Sequence, residues 1–104
     1  MEINQILAAL NQSIENMRDQ SKKENMITAT TIKIIITYLS NELNDLKIDE
    51  SEFDEKMEGI ITYSEFAAGI QDNGKSVQDN IHFTNHDFYS LKTILSRFEI
   101  NTSY

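Results

Sequence analysis

The sequence predicts an all-α fold, a small bundle of about four helices, on three observations: apolar stripes at helical spacing, a complete lack of proline, and a helix-start pattern that occurs three times. Ile3, Leu7, Leu10, Ile14 and Met17 recur at steps of four and three with polar residues between them, which predicts a first helix over 3–18. Ile32, Ile36, Leu39, Leu43 and Leu46 continue the same alternation and predict a second over 29–46. Its start is crowded with β-branched residues from Ile27 to Thr37, which favour strands, so an α+β fold with a strand in 27–38 is the minor alternative. The stripe decides for helix because it runs on unbroken to Leu46.

Without proline, breaks fall to glycine and asparagine. Gly59 and Asn73-Gly74 are the clearest, and between them Phe66, Ala67 and Ile70 predict a short helix over 62–72. Phe88, Leu91, Leu95 and Phe98 predict the last, over 84–98. At 104 residues the chain is expected to be one helical domain spanning 1–104, with room for a single modest core.

The repeated pattern is apolar, Thr, two residues, polar, apolar. It occurs at Ile27-Thr28-Ala29-Thr30-Thr31-Ile32, at Ile61-Thr62-Tyr63-Ser64-Glu65-Phe66 and at Phe83-Thr84-Asn85-His86-Asp87-Phe88. A helix opens with unpaired backbone N–H groups. A Thr hydroxyl at the N-cap and an acceptor three residues on can satisfy them, while the flanking apolar pair clamps the entering chain. Thr28, Thr62 and Thr84 are accordingly the expected caps.

Seventeen acidic against nine basic residues leave a formal charge of −8, which disfavours nucleic acid and anionic lipid and favours basic partner surfaces or cations. The acids concentrate at Asp45, Asp49, Glu50, Glu52, Asp54, Glu55 and Glu58, relieved only by Lys47 and Lys56. Cysteine is absent, the first residues lack a basic and apolar leader, and the longest run of Ile, Leu or Val is Ile34-Ile35-Ile36. A cytoplasmic protein with no disulfide and no membrane span is the expectation.

The second copy of the repeated pattern completes a longer motif. Asp54-Glu55-Lys56-Met57-Glu58-Gly59-Ile60-Ile61-Thr62-Tyr63-Ser64-Glu65 resembles an EF-hand calcium loop, with Phe53 and Phe66 flanking it where that family places apolar residues. The resemblance implies ligands at Asp54, Glu58, the Ile60 carbonyl and Glu65, with Gly59 at the sharp turn. The same alignment of the first copy starts at Gln20, so residues 1–70 resemble a degenerate EF-hand pair. Lys56 departs from the family at the third ligand position, and the Gln20 loop lacks both the first carboxylate and the terminal Glu.

Other chemistry finds little support. His82 and His86 stand four apart but straddle the expected cap at Thr84 and lack a third ligand. No glycine-rich phosphate loop, nucleophile elbow or His-Glu-x-x-His motif occurs, and no enzyme activity is expected. The expected function is that of a noncatalytic acidic protein-interaction module, in the manner of inhibitors, immunity proteins and phage-type regulators that occupy a basic site on another protein. Asp49, Glu50, Glu52 and Glu55 are the expected steering residues and Phe53 and Tyr63 the apolar anchors. The alternative is an EF-hand-like module, a weak calcium binder or a metal-free relic; no cofactor is expected outside that alternative, where it would be calcium. A helix stripe left exposed would also allow a homodimer.

Overall fold

The computed structural model describes residues 2–48 and 51–98, and all regular structure among them is α-helical. α1 spans Ile3–Asn16, α2 Lys22–Asp45, α3 Ser51–Ala67 and α4 Val77–Ser96. The expected all-α, four-helix class is therefore observed, and 27–38 lies inside α2 rather than in a strand.

α1 forms where its stripe predicts, burying Ile3, Ile6, Leu7, Leu10 and Ile14. At its start the Glu2 N–H donates to Gln5 Oε1 at 3.3 Å and the Gln5 N–H donates to the Glu2 carbonyl at 3.0 Å. α2 buries Asn25, Ala29, Ile32, Ile36, Leu39 and Leu43. Its β-branched first half is held helical by the buried stripe of Ala29, Ile32 and Ile36, and Thr28, Thr30, Thr31 and Thr37 are accommodated there by donating their hydroxyls to the carbonyl four residues earlier.

The helix starts differ from the sequence expectation. Thr28, Thr62 and Thr84 all lie within helices. α2 opens at Ser21, whose hydroxyl accepts from the Glu24 N–H at 3.2 Å while the Ser21 N–H donates back to Glu24 Oε1 at 3.2 Å. α4 opens at Ser76, whose hydroxyl accepts from the Asp79 N–H at 3.0 Å. Thr84, buried, donates to the Asn80 carbonyl at 2.8 Å. Thr28 and Thr84 thus bond backward along a turn, and the caps of their helices lie about two turns upstream, at Ser21 and Ser76.

α3 departs most. It begins at Ser51, not Thr62, and runs through Gly59 without a break to Ala67. Phe53, Met57, Ile60, Ser64 and Ala67 form one buried stripe at steps of four and three, and its burial outweighs the roughly 1 kcal/mol that an interior glycine costs a helix. The missing side chain has a packing role, because a Cβ on Gly59 would run into the Asp87 carboxylate of α4.

The breaks lie elsewhere. Lys47, with φ of 57°, ends α2, the Lys47 N–H donating to the Asn44 carbonyl and the Ile48 N–H to the Leu43 carbonyl, both at 3.0 Å. Gly69, with φ of 75°, ends α3 through the same pair of bonds to Phe66 and Glu65. Gly74 falls at an expected break and is left-handed, with φ of 77°, and its N–H donates to Asp72 Oδ1.

α3 and α4 pack most extensively and run antiparallel, with Phe53 on Phe98 near one end and Tyr63 on Phe83 near the other. α1 packs on α2, α2 less closely on α3, and α4 returns to α1. One apolar cluster draws on all four helices. Leu46 and Phe98, expected on apolar stripes, and Ile70, expected in the short helix over 62–72, are exposed and lie beyond the ends of α2, α4 and α3. Among the described residues no helix is long and apolar enough to cross a membrane.

Candidate functional site

Helical periodicity sorts the side chains of α3 onto three sides. Phe53, Met57 and Ile60 enter the core. Glu52, Lys56 and Tyr63 turn toward α4, where Glu52 meets Arg97 at 3.7 Å, Lys56 meets Asp87 at 3.8 Å and Tyr63 lies 5.3 Å from Phe83 between ring centres. Asp54, Glu58, Ile61 and Glu65, again at steps of four and three, turn toward α2.

There α2 and α3 stand apart enough to leave a groove of about 540 Å³. Asp54, Glu58, Thr62 and Glu65 line it from α3 and Thr37, Ser40 and Asn41 from α2, with Ile36, Met57 and Ile61 supplying its apolar surface. A smaller recess of about 60 Å³ continues it past Asp54 toward Asn44 and Ile48. Three carboxylates and no basic side chain line the main groove, so its potential is negative, and the apolar surface between them suits an amphipathic ligand.

The opposite flank holds a second carboxylate arrangement. Asp87 sits over Gly59, its side chain only 14% exposed, with Lys56 at 3.8 Å and the exposed His86 at 3.9 Å. Burial raises its pKa above the ordinary aspartate value; the nearby positive charges of Lys56 and His86 oppose that rise only in part, and Glu55 adds to it. The Glu24 carboxyl is held below its ordinary value, first by the Ser21 backbone N–H and then by the Ser21 hydroxyl.

Of the expected partner-contacting residues, Asp49 and Glu50 lie outside the described residues. Glu52 faces α4 and Glu55 is exposed. Phe53 is 1% exposed, so it is a core residue and not a surface anchor, as its place in the buried stripe requires. Tyr63 is half-buried against Phe66 and Phe83 at the edge of the α3–α4 seam. Of the expected metal ligands, Asp54, Glu58 and Glu65 share the groove, while Ile60 is buried in mid-helix. Residues 54–65 are helical throughout and Ser21 caps α2, so neither segment that resembles an EF-hand loop has a loop's path. Among the described residues no three His, Asp or Glu side chains are grouped to hold a metal ion. His82 and His86 do not straddle a cap, since both lie within α4 on its exposed side.

The α2 wall of the groove was not anticipated from sequence. Thr37, Ser40 and Asn41 look like ordinary solvent positions until α3 is placed beside them, and Asp54, Glu58 and Glu65, which the sequence suggests as ligands of one loop, share a wall only because Ser51–Ala67 is one helix. No protein-family model, curated protein or solved structure matches the chain.

Proposed function

We propose that this chain is a noncatalytic interaction module that receives a basic, amphipathic segment of a partner protein in the groove between α2 and α3. The observation that carries the proposal is the convergence of Asp54, Glu58 and Glu65 on one groove, whose apolar floor is the half-buried Ile61 with the edges of the buried Ile36 and Met57. Lysine or arginine side chains of the segment meet the carboxylates, and its apolar side covers the isoleucines and Met57. The charge of −8 steers a basic partner toward the molecule from beyond contact distance. A module working this way acts as an inhibitor or regulator by occupying the partner's basic site, in the manner of immunity and phage-type regulatory proteins.

The test is fluorescence titration with a lysine- and leucine-bearing amphipathic peptide against the wild type and against Asp54→Asn, Glu58→Gln and Glu65→Gln combined. The combined variant is expected to bind at least about tenfold more weakly and with a flatter salt dependence. Equal affinity and equal salt dependence would show that the groove is not the binding site.

A further inference from the structure

α2 carries a second face that no other described helix covers. Ile27 is 67% exposed, Ile34 53% and Tyr38 55%, and with the exposed Thr30, Thr31 and Asn41 they line the side of α2 opposite its core stripe. The protein is strongly acidic, yet from Asn25 to Asn41 the only charged residue is Lys33. Charge appears on this face only at its ends, Lys23 in the first turn and Asp45 in the last, both exposed.

We infer that this face is where a second copy of the chain docks, α2 against α2, antiparallel about a two-fold axis at Ile34. The register follows from the residue numbers. A two-fold axis at Ile34 sets Ile34 on its own counterpart, Thr30 beside Tyr38 and Ile27 beside Asn41, and brings each Lys23 to the Asp45 of the other copy. The face is thus self-complementary in charge at both ends and uncharged in the middle. Within one chain the end charges are badly placed, since a cation opens α2 and an anion closes it, against the helix dipole. In the antiparallel pair each end charge meets both its opposite and the favourable end of the neighbouring helix. A parallel pair would bring like charges together at both ends.

α2 is 24 residues long, so the face extends for about 36 Å. A single helix face of that length falls short of the roughly 800 Å² per partner of a standard interface, so a reversible dimer is expected.

Sedimentation equilibrium from low micromolar to near-millimolar concentration reads the association, and circular dichroism confirms the fold of each variant. The wild type is expected to shift from monomer to dimer across that range. Ile34→Glu, which sets two carboxylates on the axis, is expected to stay monomeric, with Ile27→Glu as the second variant should the first lose helix content. Lys23→Asp is expected to weaken the dimer at least about tenfold, and Lys23→Asp combined with Asp45→Lys to restore it. A wild type monomeric throughout would overturn the proposal and leave this face to a partner of another sequence. A dimer indifferent to both glutamate variants would equally overturn it, and a charge exchange that fails to restore association would overturn the antiparallel register.

Discussion

Ser21 and Ser76 each satisfy a backbone N–H three residues on, at the start of a long helix, and the threonines that resembled caps do not. Ser21→Ala and Ser76→Ala should each destabilise the fold by about 1 kcal/mol. Thr62→Ala, in mid-helix, should stay within about 0.5 kcal/mol of the wild type. Urea denaturation midpoints check the contrast, and a full cap's cost at Thr62 would contradict the helix boundaries. Lys47 holds a left-handed conformation at a helix end whose counterpart in α3 uses Gly69. Lys47→Gly removes the steric cost while keeping both terminal hydrogen bonds, and a gain of about 0.5–1 kcal/mol in the same measurement is expected. Asp87 has a raised pKa caused first by burial. Its protonated form therefore contributes stability below the ordinary value of 3.8, and that contribution is lost as pH rises through the higher folded value. Asp87→Asn should thus be at least as stable as the wild type at neutral pH, with the difference closing as the pH falls below 3.8. An Asn variant less stable at neutral pH would mean that the Lys56 contact outweighs burial.

The elements differ in how far they can be read from the chain. α1 and the core stripe of α2 were legible because long aliphatic side chains at steps of three and four have one economical arrangement. The first halves of α3 and α4 were not. In α3 the residues from Ser51 to Glu58 are dominated by acids, which read as a solvated connection, and Gly59 looks like a stop until its neighbour is known. What makes that half helical is the placement of Phe53 and Met57 against α4 and α2, a tertiary effect that outweighs local propensity. In α4 the first two turns bury Asn80 and Thr84 beside Ile81, so polarity concealed an inward face. The candidate site follows from this: its carboxylates stand out in the sequence as a loop resembling an EF-hand and not as a helix face, and its α2 wall exists only because two helices diverge.

At the scale of the whole molecule, charge and apolar surface are separated. The acids are concentrated in α3 and the segment leading into it, three of them lining the α2–α3 groove, while the outward face of α2 is uncharged along its middle. A basic segment and a second copy of the chain thus have different surfaces available, which meet along Thr37 and Asn41. Occupation of the groove by a basic amphipathic segment is the central claim. Backbone amide chemical shifts recorded while the wild type is titrated with the lysine- and leucine-bearing peptide test it most directly. The largest changes are expected at Thr37, Ser40, Asn41, Glu58, Ile61 and Thr62. Changes spread evenly over Glu15, Asp72, Asp79 and the other exposed acids, with no maximum between α2 and α3, would contradict it.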